Sequence, residues 1–180
     1  MSRNLIDSHI DDDMLTPAPA TYRVSFTVEG VPVGKARARV TRNGTYTPKK
    51  TRRYEHDVRT VAMQAMGALR PCRDAVHVSL VVFLPVPERF SKAKRAAALA
   101  GLVYPVVRPD LDNFEKAVTD ALNGVVYHDD SQICDVVKSK RYSDRPRVVI
   151  ECASINGFST YELQPARRIR HATHPEKAHG

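Results

Sequence analysis

The sequence predicts a single α+β domain, because strand-type and helix-type hydrophobic patterns both occur along it. Apolar residues alternate with polar ones over residues 22–29, the period-two pattern of a half-buried strand. Over residues 111–122 they recur every three or four positions, the spacing of an amphipathic helix. With 180 residues, 42% of them hydrophobic, the chain is expected to form one packed core.

The two ends of the chain differ in composition from its middle. Residues 1–20 are polar and end in TPAPA, which predicts a flexible arm, and residues 158–180 are polar and basic, which predicts a disordered tail. The folded domain is therefore expected at residues 21–157. No stretch approaches the ~20 apolar residues of a membrane span, and the start does not resemble a signal peptide. We expect a cytoplasmic protein.

Further elements follow the first strand, each with its own start and stop signals. In chain order they are a helix capped by Thr51, a buried central strand within residues 75–87, a surface helix at 91–100 capped by Ser91, a helix at 111–122 ended by Asn123-Gly124, a short strand at 125–127, and strands at 133–140 and 147–152 joined by a turn near 143–146.

Residues 30–54 form a strongly basic segment. They contain no acidic residue, and Asn43-Gly44 within them predicts a hairpin turn. The whole chain has 28 Lys and Arg against 20 Asp and Glu, a net charge of +8, and such a surface attracts nucleic acid. A basic hairpin with no partner is the alternative. The predicted DNA contacts are Lys35, Arg37, Arg39, Arg42, Lys49, Lys50, Arg52, Arg53 and, further along the chain, Arg108.

Carboxylates are concentrated in RPDLDNFEKAVTDALNGVVYHDDSQ, residues 108–132. Asp110 and Asp112 are two apart, so in extended backbone they would share one face. Lys116 lies one helical turn beyond Asp112. The strand predicted after the helix would bring Asp129 and Asp130 back to the same place. A group of carboxylates repels itself unless a cation is present.

Hard divalent cations such as Mg²⁺ prefer oxygen ligands of this kind, and the sequence offers no matching His and Cys set for zinc. Mg²⁺ held by carboxylates suits phosphodiester hydrolysis, and a nearby lysine can stabilise the charge that develops on the phosphate. The simpler alternatives are that Asp112 is only an N-cap and that Asp129-Asp130 is only a turn. A DxD pair by itself is weakly specific.

The same residues carry a family resemblance. RPDLDNFEKAVTDALNGVVYHDDSQI resembles the signature of the RusA family of Holliday junction resolvases, in which a DxDNxxKxxxDAL helix precedes a DDxQI turn. The segments GVPVGKARARV and YTPKKTRRYE also resemble that family, and the likeness runs from about Tyr22 to Cys152. Many members of the family are encoded by phages and prophages.

The resemblance implies a small α+β domain with a mixed sheet packed by two main helices, forming a homodimer. It implies catalytic roles for Asp110, Asp112, Asp130 and Lys116, with the three aspartates as metal ligands. Asp129 stands beside the third aspartate, and an exchange of their roles stays open. The implied cofactor is Mg²⁺, with Mn²⁺ as a substitute, and the implied substrate is branched DNA, cut by paired symmetric nicks.

Two other functions compete with a junction endonuclease. A non-catalytic branched-DNA-binding protein would have no need for the four charged residues of the predicted site. A Mg²⁺ enzyme acting on nucleotides would not need the basic segment, and no Gly-rich phosphate loop is present. Weaker candidates are His128 as a general base, and Lys138, Lys140 and Arg141 as phosphate contacts on one strand.

Overall fold

The computed structural model describes residues 22–37, 39–41 and 44–155. The predicted N-terminal arm and C-terminal tail lie outside these ranges. The described elements, in chain order, are β1 (Arg23–Glu29), β2 (Arg39–Thr41), β3 (Gly44–Tyr46), α1 (Lys49–Met66), β4 (Val76–Pro85), α2 (Lys92–Leu99), α3 (Leu111–Leu122), a 3₁₀ helix (Asp130–Gln132), β5 (Ile133–Ser143) and β6 (Arg147–Ser154).

A four-stranded mixed sheet forms the centre of the fold, in the order β1-β6-β4-β5. Strands β4 and β5 are parallel, whereas β6 pairs antiparallel with both β1 and β4. Parallel strands need a long connection, and helices α2 and α3 lie in the one between β4 and β5. The predicted α+β class with a mixed sheet is therefore confirmed.

The hydrophobic core lies between one face of the sheet and helices α1 and α3. Helix α1 packs against β1 and α3. Alternate residues of β4 point into this layer, and Val76, Val78, Leu80 and Val82 are almost completely buried. Each such side chain contributes about 1.5–3 kcal/mol when fully buried. Because β4 has a strand on both sides, the prediction of a central strand is confirmed.

The hairpin signal in the basic segment is also confirmed. Strands β2 and β3 pair antiparallel, and Thr41 lies opposite Gly44 at the closed end of the pair. Gly44 has a φ of +116°, a conformation that residues with a Cβ rarely adopt. This small hairpin forms a two-stranded sheet of its own.

One predicted helix cap is confirmed and one is wrong. The Ser91 side chain accepts a hydrogen bond from the Lys94 backbone N–H, 3.3 Å away, as an N-cap should. Helix α1 instead begins at Lys49, after Pro48, and Thr51 is buried inside its first turn. A proline before the first turn starts the helix earlier than the Thr51 hydroxyl would.

The short strand predicted at residues 125–127 is also wrong. These residues form a buried turn closed by hydrogen bonds from Val126 N to Leu122 O, 3.0 Å, and from Gly124 N to Tyr127 O, 2.8 Å. Gly124 has a φ of +72°, which lets the chain reverse its direction directly after α3. The apolar run is buried because the turn folds under the core, not because it joins the sheet.

None of the helices in the described ranges is long and apolar enough to cross a membrane.

The buried turn yields a stability prediction. The Tyr127 hydroxyl donates a hydrogen bond to Thr119 O at 2.9 Å, and the side chain is fully buried. Tyr127→Phe removes this bond and should lower the free energy of unfolding by about 1 kcal/mol. Tyr46→Phe, at an exposed position, is the control and should change it by less than ~0.5 kcal/mol. Urea unfolding of both variants tests this, and equal effects would contradict it.

Candidate active site

A polar cleft of about 440 Å³ opens between helix α3 and the first half of strand β5. Three of the residues predicted for catalysis line it. The lining side chains are Asp112, Glu115, Lys116, Thr119, Asp130, Ile133, Val136 and Lys138. We call this the carboxylate cleft.

Helix geometry explains why α3 presents these groups together. Asp112, Glu115, Lys116 and Thr119 are spaced by three and four residues, so they lie along one face of the helix. The apolar stripe of the same helix is buried against the core. Burial of that stripe therefore turns the polar face toward β5, which forms the opposite wall of the cleft.

Asp130 reaches the cleft by way of the 3₁₀ helix. The Asp129 side chain caps this helix by accepting a hydrogen bond from Ser131 N at 2.9 Å. The Asp129 backbone N–H donates to Gln132 Oε1 at 2.9 Å and completes a capping box. The hydrogen bonds from Ser131 hold the pKa of Asp129 below its ordinary value. Asp129 is thus engaged in local structure, while Asp130 faces the cleft.

Two hydrogen bonds anchor this helix to the body of the domain. The Gln132 amide nitrogen donates to Cys72 O, 3.1 Å away, and to Asp74 O, 2.9 Å away. Those acceptors lie in the segment that enters β4. The position of Asp130 is therefore tied to the central strand and not only to its neighbours in sequence.

Lys138 forms ion pairs with two of the three acidic side chains that line the carboxylate cleft. Its ammonium lies 2.5 Å from Asp112 Oδ1 and also forms an ion pair with Glu115. The hydrogen bonds to Asp112 and then to Glu115 raise the pKa of Lys138 above its ordinary value, so the group is a cation at neutral pH. Asp112 remains 86% exposed, whereas Lys138 is 27% exposed.

Asp110 lines a second cleft, next to the carboxylate cleft. It lines a basic cleft of about 570 Å³ together with Lys35, Arg37, Arg108, Pro109 and Asn113. Asp110 is the N-cap residue of α3 and has extended backbone, whereas Asp112 lies in the first turn of the helix. That the two carboxylates share a face stays a prediction. Asn113 lines the basic cleft and Asp112 lines the carboxylate cleft, so the first turn of α3 contributes to both.

Two lysines hold the segments that form the basic cleft. The Lys140 ammonium donates to Val107 O at 2.9 Å and to Pro109 O at 3.2 Å, and so fixes the loop before Asp110. The Lys35 ammonium lies 2.7 Å from Asp120 and is also paired with Glu55, while its backbone N–H donates to Asn113 O at 2.7 Å.

The pKa of Lys35 reflects this environment. Burial by itself lowers the pKa of Lys35, but the hydrogen bonds to Asp120 and Glu55 outweigh burial, and the pKa is raised above its ordinary value. Lys35 is therefore a charged link between α1, α3 and the segment before the hairpin. Its predicted contact with DNA is untested and would compete with these ion pairs.

The other predicted DNA contacts differ in how far the structure describes them. Arg37 and Arg108 are exposed and line the basic cleft. The side chains of Arg39 and Arg42 lie outside the described part of the protein. The first turn of α1 carries four exposed basic side chains, which are Lys49, Lys50, Arg52 and Arg53.

The residues of the carboxylate cleft fit a hard cation chemically, although they are not arranged as a finished metal site. In the described ranges, no group of three or more His, Cys, Asp or Glu side chains converges closely enough to hold a metal ion. Asp112, Glu115 and Asp130 nevertheless offer only oxygen ligands, which Mg²⁺ prefers. Two of the three already bind a cation, the ammonium of Lys138.

Sequence reasoning missed Glu115 as a site residue and gave Lys138 only a general role in phosphate contact. Glu115 stands three residues after Asp112, so helical spacing alone places the two carboxylates on one face. Lys138 could not have been assigned to them, because its position depends on the parallel pairing of β5 with β4. His128 is exposed and lines neither cleft.

The fold and the two clefts together define a class of protein: a basic α+β domain with a site of carboxylates and lysines beside a basic cleft. The family model described as "Endodeoxyribonuclease RusA" matches residues 29–153. The chain therefore belongs to the RusA endodeoxyribonuclease family.

The chain is also similar to the uncharacterized protein YqaN of Bacillus subtilis (strain 168). The two are 39% identical over 136 residues, which cover 71% of this chain and 93% of the relative.

The close packing of residues 31–37 against the first turn of α3 yields a second prediction. A Cβ on Gly34 would lie 2.7 Å from Pro109 Cβ and 3.2 Å from Asn113 Cβ. Gly34→Ala should therefore displace the loop that carries Asp110 and destabilise the protein by about 1–3 kcal/mol. Thermal unfolding measures the effect. Ala36→Ser, at an exposed position of the same segment, should change stability by less than ~0.5 kcal/mol.

Proposed function

We propose that this protein is a Holliday junction resolvase that cuts four-way DNA junctions by divalent-cation-dependent phosphodiester hydrolysis, in DNA recombination and repair. One observation carries the proposal. Asp112, Asp130 and Lys116, which the sequence separates by up to 18 positions, line one cleft. The basic cleft, which is lined in part by Asn113 of the same helical turn, supplies cations for a DNA backbone.

The chain's own residues divide the work. Asp112 and Asp130, with Asp110 from the adjoining loop, are the proposed ligands of Mg²⁺ or Mn²⁺. When bound, such a cation activates water and stabilises charge on the phosphate. Lys116 lines the same cleft and forms no ion pair with an acidic side chain in the described part of the chain. Its ammonium is therefore available to neutralise the additional negative charge of the transition state.

The basic surface orients the substrate. Arg37 and Arg108 line the basic cleft, and guanidinium groups bind phosphate oxygens in a bidentate manner. The first turn of α1 adds exposed lysines and arginines. Contacts of this kind position DNA without reading its sequence, as a structure-specific enzyme requires.

We further propose that the enzyme acts as a homodimer. A junction is resolved cleanly only when two strands of the same polarity are cut symmetrically, and a two-fold dimer provides two equivalent sites. Light scattering during size-exclusion chromatography measures the mass directly. Phage or prophage origin and a cytoplasmic location remain expectations that follow from the family resemblance and the sequence.

A non-catalytic branched-DNA-binding protein is the competing proposal. The first experiment to separate the two incubates the protein with a labelled four-way junction and with a linear duplex, in Mg²⁺ and in EDTA. A resolvase makes paired nicks in the junction alone and only with Mg²⁺. Binding without cleavage in Mg²⁺ and in Mn²⁺ would reject the proposed enzyme and leave the binding protein.

Neighbouring aspartates provide a matched test of the site. Asp130→Asn should reduce the cleavage rate by about 10²–10³-fold, because it removes a charged group from the carboxylate cleft. Asp129→Asn should retain most of the activity, because asparagine also caps a helix. Single-turnover junction cleavage compares them, with junction affinity as the control. Loss of activity in Asp129→Asn alone would assign the catalytic role to Asp129.

The basic surface can be tested by the salt dependence of binding. Lys49→Ala combined with Arg53→Ala should lower the slope of log affinity against log salt by roughly one unit per lost phosphate contact. Arg145→Ala is the control, because Arg145 is already paired with Glu29 at 2.9 Å. An unchanged slope in the double variant would remove the first turn of α1 from the DNA-binding surface.

A further inference from the structure

The two lysines of the carboxylate cleft have different surroundings. Lys138 forms ion pairs with both Asp112 and Glu115. Lys116 lines the same cleft, but it forms no ion pair with any of the residues that the structure describes. Two side chains of the same type and charge are therefore held differently within one site.

The fold fixes Lys138 in its position. The parallel pairing of β5 with β4 sets Lys138 opposite Leu80, whose side chain is buried on the helix-facing side of the sheet. Lys138 consequently extends from the sheet toward α3, where Asp112 and Glu115 lie one turn apart. Its ion pairs thus join two separate elements of secondary structure, β5 and α3.

Electrostatics explains what this arrangement achieves. Three carboxylates, Asp112, Glu115 and Asp130, line a cleft of about 440 Å³ and repel one another. The Lys138 ammonium offsets part of that repulsion and bridges two of the three. A divalent cation that binds Asp112 must compete with the ammonium for the same oxygen atoms.

We propose that Lys138 is an internal counter-ion of the cation site. This inference rests on the proposed function. In the metal-free protein, Lys138 holds Asp112 and Glu115 together, and its two ion pairs break when a divalent cation binds. Glu115 then becomes a further oxygen group at that site. Lys138, released from both carboxylates, stays in the cleft beside Lys116 and becomes a second cation for a DNA phosphate.

The competition has a measurable consequence. Breaking the two ion pairs costs free energy, so cation binding to the wild-type protein is weaker than the carboxylates alone would allow. Lys138→Met removes that cost. It should raise the affinity for Mn²⁺ by roughly twofold to tenfold, the range that two partly exposed ion pairs supply.

The experiment measures Mn²⁺ binding to the full chain without DNA, by isothermal titration calorimetry and by the electron paramagnetic resonance signal of free Mn²⁺. The variants are Lys138→Met, Lys138→Gln, Lys138→Arg and Lys116→Met. Lys116→Met is the matched control, because it removes the same charge from the same cleft without breaking an ion pair. Lys138→Arg keeps the charge and should bind Mn²⁺ like the wild type. Circular dichroism checks that each variant folds. If Lys138→Met does not fold, Lys138→Gln serves as the neutral variant.

The outcomes separate this inference from the proposed function. A gain in affinity at Lys138 that exceeds the gain in Lys116→Met supports the counter-ion. Equal gains, no gain or a loss in the neutral Lys138 variants would overturn it, while Mn²⁺ binding by the wild type would keep the proposed cation site. If neither the wild type nor any variant binds Mn²⁺, the cation dependence of the proposed function fails as well.

Discussion

Burial of the apolar stripe of helix α3 is the constraint on which the site depends. Phe114, Val118 and Leu122 are each at most 1% exposed, and α1 packs against the same helix. A helix with one buried stripe has a single rotational setting, so the polar stripe that begins at Asp112 faces β5. The first turn of α3 contributes Asn113 to the basic cleft and Asp112 to the carboxylate cleft. The site is thus oriented by hydrophobic burial elsewhere on the same helix, not by contacts among its own charges.

The positive charge of the chain serves two purposes that composition cannot distinguish. Lys35, Lys138 and Lys140 are all held by acceptors inside the domain, and each joins segments that are distant in sequence. Arg37 and Arg108 are exposed at the basic cleft. The first group fixes the loops and carboxylates, and the second remains available to an external anion. The net charge of +8 therefore does not tell which of the basic side chains are available to DNA.

Much of the fold could be predicted because its signals are local. The period-two strand at β1, the amphipathic pattern of α3 and the Ser91 cap each depend on neighbouring residues, and each is confirmed. The predictions that are wrong involve competition between nearby signals. Pro48 starts α1 before Thr51 could cap it, and a glycine with positive φ turns residues 125–127 under the core instead of into a strand.

By itself, the sequence determined the class of the fold, the family signature and the residue types of the site, because spacing along a helix or strand fixes which neighbours share a face. The tertiary structure alone decided which of those residues meet. It places Asp130 in the same cleft as Asp112 and Lys116, and it brings Lys138 to Asp112 and Glu115. The physical reason is that the pairing of β5 with β4 and the rotational setting of α3 arise from packing between distant segments.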